Sequence, residues 1–340
     1  MSKKRGIIAI IGLLIIAVLA ACGGNNMSPA NDVPPTPAAE AVATPTPTPE
    51  PTPEASAAEE RLRPEVDREG YAISLPDEVN TIISIGPSNT EVLVALGFGG
   101  NIISTDTFSW DVEGINEGIA VLDMMALDAE FIINLQPDVI IVTGMTRVGG
   151  EDPLTAVSDS GIPVIFMPTS TRIAEIILDI RFIASVLGTE EAYEAAEAII
   201  LHVEEEINHI RSIAENITEI RTVYFEISPA PWMFSFGTGT FLQEMIEIIG
   251  AVNIFEDQEG WFSVSDEMLL YANPDVILTN VDYIDDPIGE MLQRPGFDTI
   301  SAVQNGYIFL IDSASSSRAN HNIVIALRQM AEAIYPEYFR

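Results

Sequence analysis

The 340-residue sequence predicts an α/β protein built as two similar βα lobes joined by one long helix. Three observations carry that prediction. Short β-rich runs alternate with helical ones between about 71 and 170 and again after 221, the pattern of mainly parallel sheets covered on both faces. Between them, 171–220 holds almost no Gly or Pro apart from Gly188, and its apolar residues recur at helical spacing. The third observation is an internal echo. Gln136-Pro137-Asp138-Val139-Ile140-Ile141 returns as Asn273-Pro274-Asp275-Val276-Ile277-Leu278, each time after a helical stretch.

At the start of the chain, Lys3, Lys4 and Arg5 precede an uncharged apolar stretch that ends in Leu19-Ala20-Ala21-Cys22. A basic n-region, an h-region shorter than the roughly 20 residues of a spanning helix, and small residues before a cut describe a secretory signal. With cysteine at the cut, the run resembles the bacterial lipoprotein signal. That resemblance implies removal of residues 1–21, acylation of Cys22, and a globular part lipid-anchored to the extracytoplasmic face of the cell membrane. Cys22 is the only cysteine, so once acylated it leaves no thiol for a disulfide, a zinc site or a redox pair. Residues 22–68 then read as a Pro/Thr-rich disordered tether, with Thr44-Pro45-Thr46-Pro47-Thr48-Pro49 at its centre. Alternating proline favours polyproline II, so some forty residues at about 3.1 Å each reach on the order of 100 Å.

In the N-terminal lobe, 69–170, strands are expected at 81–85, 138–142 and 163–167 and helices at 88–96, 126–135 and 153–159. In the strut, 171–220, Ile199, Val203, Ile207, Ile210, Ile213 and Ile217 form one stripe with Glu204, Glu205 and Glu206 turned outward. The segment 189–218 therefore reads as one helix of about 45 Å, long for a single lobe and natural for a strut between two. In the C-terminal lobe, 221–340, strands are expected at 222–227, 275–279 and 307–311 and helices at 241–249, 266–272 and 321–335. The echo extends through these elements. Asn89-Thr90-Glu91 leads to Gly97 as Gln243-Glu244 leads to Gly250, and Gly161-Ile162-Pro163-Val164-Ile165-Phe166 matches Gly306-Tyr307-Ile308-Phe309-Leu310.

Charge narrows the function. Removing residues 1–21 takes away three of the fifteen basic residues and none of the acids, leaving 12 Arg, no Lys and 51 Asp+Glu, a formal charge of −39. Nucleic acid binding needs a basic footprint, and none exists. Attraction to anionic lipid is excluded on the same ground, so acyl chains must hold the protein to the membrane. The acidity keeps the protein soluble and steers it toward basic partner surfaces. Catalysis is not expected. There is no Gly-x-Ser-x-Gly elbow, no phosphate loop with lysine and no metal motif, and Ser88 or Ser235 would have only His321 as a base.

The run Ile82-Ile83-Ser84-Ile85-Gly86-Pro87-Ser88-Asn89-Thr90-Glu91-Val92-Leu93, with Leu96-Gly97, resembles the opening of the iron-chelate/vitamin B12 periplasmic-binding family. The likeness continues through both Pro-Asp-Val-Ile segments, Gly260-Trp261-Phe262-Ser263-Val264-Ser265, Arg294-Pro295-Gly296-Phe297 and Val303-Gln304-Asn305-Gly306, covering about 71–338. It implies a class III substrate-binding protein: rigid lobes, a ligand clasped between them, and delivery to an ABC permease and ATPase complex, the binder itself a monomer. It also implies an acidic docking peg on each lobe. Glu91 falls on that position, with Glu244 its partner by the echo and Glu247 the alternative.

Ligands of open α/β sheets sit at loops beyond the strands' carboxyl ends. Here those loops are aromatic, holding Phe108, Trp110, Trp232, Phe234, Trp261, Phe262 and Tyr283, which suits a large flat ligand or, equally, a plugged lobe interface. Trp261 matches the position where the resemblance places a ligand-contacting tryptophan. Ser88, Asn89, Tyr283, Arg318 and His321 complete the candidate set. A bare metal is not expected, because His202 and His209 sit on the strut and only His321 lies in a cleft loop. Haem or a ferric siderophore would call for several cations, and only Arg147 and Arg318 lie in candidate loops. The expected cargo is a metal chelate, corrinoid (cobalamin) favoured over an Fe(III)-chelate, with no resident cofactor. A surface sensor or adhesion lipoprotein without a transport role is the reading from another class.

Overall fold

The computed structural model describes residues 63–147 and 152–339. Cys22, the signal and nearly all of the tether lie outside the described residues. The N lobe is a five-stranded parallel sheet of order β3-β2-β1-β4-β5. Its strands are β1 (Ile82–Ile85), β2 (Ile102–Asp106), β3 (Ala120–Leu122), β4 (Val139–Thr143) and β5 (Val164–Met167). Helices α1 (Pro87–Ala95), α2 (Ala129–Leu135) and α3 (Thr155–Asp159) connect them. The C lobe repeats the frame as β11-β10-β6-β8, again parallel. Here β6 is Thr222–Glu226, β8 Val252–Asn253, β10 Val276–Thr279 and β11 Ile308–Leu310, with helices α6 (Phe241–Ile249) and α7 (Asp266–Ala272). Central β1 and β4 thus correspond to β6 and β10. What the C lobe adds is an antiparallel pair, β7 (Phe234–Phe236) with β9 (Trp261–Ser263).

The sequence echo is a structural staple. Asp138 Oδ2 accepts the Thr81 amide at 2.8 Å and its hydroxyl at 3.0 Å, stitching the start of β4 to the start of β1. Asp275 Oδ2 does the same to Thr222, at 2.9 and 2.7 Å. The residues two before these acids, Gln136 and Asn273, end their helices in the left-handed region at φ 50 and 47, the two non-glycine residues so found among those described. Proline after each forbids further helix and delivers the aspartate to the sheet.

One long helix, α5 (Glu190–Ala214), joins the lobes as expected, while the first part of the expected strut is a separate helix, α4 (Ile173–Leu187), packed on the N lobe. Gly188, with φ 70, ends α4, and Thr189 caps α5, its hydroxyl accepting the Ala192 amide. A side chain at 188 would be strained by that φ and would press within 2.8 Å of Arg63. At 25 residues, α5 is about 37 Å long, shorter than expected because it ends at Ala214. Its buried stripe is Ala192, Ala196, Ile200, Val203, Ile207 and Ile210; Ile199 and Ile213 are only partly covered. One apolar core runs through α4, α5 and the helix-facing sides of both sheets, from Val92 and Leu93 to Val223 and Leu327. Separate cores fill the far side of each lobe. After the short helices α8 (Pro287–Leu292), α9 (Ser301–Asn305) and α10 (Ser313–Ser317), helix α11 (Ile323–Ile334) closes the C lobe.

Packing onto the N lobe begins before the 68/69 boundary. Asp67 accepts the Phe166 amide at 3.0 Å, and Arg68 pairs with Asp179 at 2.7 Å. Residues 67 and 68 therefore fasten the chain to β5 and α4. No helix among the described residues is long and apolar enough to cross a membrane.

Candidate functional site

The loops after β2, β6, β10 and β11 converge between the lobes. Arg318, in the C-lobe loop after β11, donates to both carboxylate oxygens of Asp111 in the N-lobe loop after β2, at 3.0 and 3.1 Å. It also pairs with Glu91 of α1. Burial works against the Arg318 charge, but the two carboxylates outweigh it and raise its pKa. Asp282, after β10, is raised by burial and by the charges of Asp312 and Asp111. Tyr283 beside it is half-buried, and that burial raises its phenol although Ser228 from the loop after β6 hydrogen-bonds it.

The predicted aromatics divide into two groups. Trp110 and Trp232 are 57% and 63% exposed, high for tryptophan, and flank this convergence in the loops after β2 and β6. Trp261, on β9, packs edge-on against Phe236 at 5.7 Å with part of its ring open. Phe234 is buried on β7, and Phe108 packs against the N-lobe core; these two plug the lobes rather than present a face. Phe262 likewise packs edge-on to Phe255 at 5.2 Å. Ser88 is part-exposed at the start of α1, whereas Asn89 is buried and donates to the Ile85 carbonyl at 3.0 Å, so it shapes the β1–α1 turn. In that turn the Gly86 amide, at φ 103, donates to Asp106 at 2.7 Å.

Both loop arginines are occupied. Arg147 pairs with Glu69 and Asp152 and lies over the Tyr71 and Phe166 rings, at 4.3 and 3.3 Å to their centroids. It belongs to the clamp on the incoming chain, not to the cleft. Arg294 is structural, as its place before Pro295-Gly296 suggests. It forks onto buried Glu226 with bonds of 2.6 and 2.9 Å; burial raises the carboxyl's pKa, and the guanidinium opposes that rise. His321 is partly buried, its Nδ1 has no hydrogen-bond partner, and burial lowers its pKa. It stands just before α11, within electrostatic reach of Glu91 and His202. A groove of about 590 Å³ lined by Ile173, Ile207, Arg211, Glu244 and Ile248 lies along α5 and shares no residue with the cleft loops.

Both carboxylates expected to dock have partners within the chain. Glu91 accepts from Arg318, from Asn320 at 2.6 Å and from Asn322 at 2.9 Å. Glu244 accepts the Ile173 amide at 2.8 Å. Each is consumed by the opposite lobe and is no free peg. Two further carboxylates, Glu130 and Glu267, are exposed in the first turns of the matched helices α2 and α7. The echo held the signal: each lies eight residues before its stapling aspartate.

Two α/β lobes of one design, bridged by helix and presenting strand-end loops to each other, define a solute-binding protein of the periplasmic type. The chain belongs to the periplasmic binding protein family, whose model matches residues 82–315, a family of solute binders rather than enzymes. It is 27% identical over 279 residues to the ABC transporter substrate-binding lipoprotein YvrC of Bacillus subtilis, covering 81% of this chain and 86% of that one. It is 29% identical over 212 residues to the vitamin B12-binding protein of Yersinia pestis, covering 61% of this chain and 72% of that one. Among solved structures it resembles a periplasmic solute-binding protein from Staphylococcus epidermidis, with a TM-score of 0.67 and 28% identity over 76% of this chain and all of that one.

Proposed function

We propose that this protein is the extracytoplasmic substrate-binding lipoprotein of an ABC importer, anchored through Cys22, and that it captures a metal chelate, a corrinoid in preference, in the interlobe cleft. The observation that carries the ligand class is the occupation of both loop arginines. With Arg318 held by Glu91 and Asp111, and Arg147 by Glu69 and Asp152, neither is left to meet the carboxylates of haem or an anionic siderophore. Exposed indoles at Trp110 and Trp232 and the half-open Trp261 offer flat apolar contact to a chelate whose rim is neutral. The named relatives, a transporter lipoprotein and a vitamin B12 binder, support the same reading. Tryptophan quenching on titration with cyanocobalamin, haemin and a ferric siderophore tests it. Binding of cyanocobalamin alone is expected. Binding of haemin or the siderophore alone would replace the cargo and leave the carrier role standing.

Docking to the permease falls to Glu130 and Glu267. They occupy equivalent places in the two lobes, and each is followed by an exposed apolar residue, Phe131 or Met268, so each lobe offers an acid beside a greasy contact to a basic partner surface. Reversing both charges should abolish uptake without changing ligand affinity. Normal uptake by the double variant would rule this surface out. Normal growth and uptake on loss of the neighbouring permease would instead favour a sensor lipoprotein.

A further inference from the structure

Glu91 and Glu244 hold the same place in the two halves, six residues before the glycine that follows their helix, Gly97 or Gly250. Each crosses the lobe boundary, in opposite senses. From α1 of the N lobe, Glu91 reaches the segment that opens α11, taking bonds from Arg318, Asn320 and the N-cap residue Asn322. From α6 of the C lobe, Glu244 reaches the first residue of α4, Ile173. Helices α4 and α11 are themselves counterparts, each the long helix after the last strand of its lobe. Exchanging the halves of the chain therefore exchanges the two contacts.

We propose that Glu91 and Glu244 are positioning residues, a reciprocal clasp that fixes the lobes at one separation and so sets the width of the ligand cleft. A single helix between two bodies leaves bending and twisting open. The two contacts lie on different faces around α5. Glu91 shares its surroundings with His321, which feels His202, while Glu244 lines the groove with Ile207 and Arg211. They add to α5, to the core beside it and to the Arg318–Asp111 pair two attachments out of line with one another, which resist rotation of one lobe against the other. Each carboxylate also sits where a helix start favours an anion. At α4 the need is specific: Glu175 takes the Thr171 and Arg172 amides at 2.8 and 3.3 Å, and the Ile173 amide is satisfied only from the other lobe. The clasp is independent of which cargo the cleft holds.

Hydrogen exchange and small-angle scattering on the whole unliganded chain test the clasp, comparing Glu91→Ala, Glu244→Ala and the double variant with the parent. Loss of a charge-assisted bond should speed exchange of the Ile173 amide in Glu244→Ala, and of residues 319–323 in Glu91→Ala, by about tenfold or more. The double variant should show an increased radius of gyration while the amides of β1 and β6 keep their protection, which a merely structural role would not leave intact. An unchanged scattering curve with unchanged exchange at both segments would overturn the proposal. Should the double variant not fold, Glu91→Gln and Arg318→Gln carry the test. Both retain the Asn320 and Asn322 side chains but break the ion pair, and both must raise exchange at 319–323; parental rates in both would overturn it equally.

Discussion

The two lobes share a frame and differ at its edge. Thr81 with Asp138 and Thr222 with Asp275 staple the same pair of strands at the same register, so Ile85 at the end of β1 stands where Glu226 stands at the end of β6. Ile85 is buried among apolar side chains, as the end of a covered parallel strand ordinarily is. Glu226 is equally buried but polar, answered by Arg294, whose second fork reaches Glu290. The C lobe has also inserted the β7–β9 pair, which puts Phe236 into the shared core and lays Trp261 against it. The repeat thus fixes where the strands end, and each lobe has specialised what stands there: an apolar floor in one, a buried ion pair beneath aromatic strands in the other.

The largest effect expected from breaking this contrast is at the ion pair. Arg294→Met leaves Glu226 buried without its partner, to be kept charged or protonated at a cost, and should lose about 3–5 kcal/mol in urea unfolding. Converting both, Glu226→Met with Arg294→Met, makes the C lobe resemble the N lobe and should recover most of that loss. A double variant as weak as the single one would show that the pair is not a replaceable substitute for an apolar floor. Next come the staples. Asp138→Ala and Asp275→Ala each strand a threonine amide and should each cost about 1–3 kcal/mol. Near-equal losses support the repeat as an energetic unit, and an insensitive lobe would break the equivalence.

Effects on binding should be smaller and unequal. Trp232→Ala and Trp110→Ala remove the exposed indoles and are each expected to weaken cyanocobalamin binding by about tenfold, roughly 1.4 kcal/mol. Phe234→Leu, on a side chain that fills the lobe, should leave affinity within about twofold. Equal losses from all three would mean that the buried ring shapes the site as much as the open ones do.

The frame was legible because it is written in local signals. Proline after a helix, aspartate after proline and a β-branched run after that give the strand, and the repetition of all three gives the second lobe. Five-residue β2 escaped that reading, and so did the shortest strands. β3, β7, β8 and β9 have two or three residues each, too few for alternation to declare itself, and they exist because neighbours offer them an edge. The site was legible as a list of loops but not as an arrangement. That Arg318 would face Asp111 across 207 residues of chain, or that Glu91 would be spent on the opposite lobe, depends on how the lobes meet, and no local pattern encodes it. The echo did find Glu91 and Glu244 as partners; it gave their symmetry and not their direction.

The smallest effect expected is one of pH, and it separates the charge of a staple from its shape. At Asp138 burial works against ionisation, but the amides of Asn80 and Thr81 and the Thr81 hydroxyl outweigh it, so the carboxyl is held below its ordinary value. A folded-state pKa below the unfolded one means that the unfolded chain takes up the proton first as acid is added. The stability this carboxylate supplies is therefore whole at neutral pH and is lost as pH falls below about 4 and through the folded value. The gap in urea midpoint between the parent and Asp138→Ala should be constant from pH 7 to about 5 and narrow toward pH 3. A gap that keeps its full width at pH 3 would mean that a protonated Asp138 staples β4 to β1 as well as a charged one, and that hydrogen-bond geometry alone holds that seam.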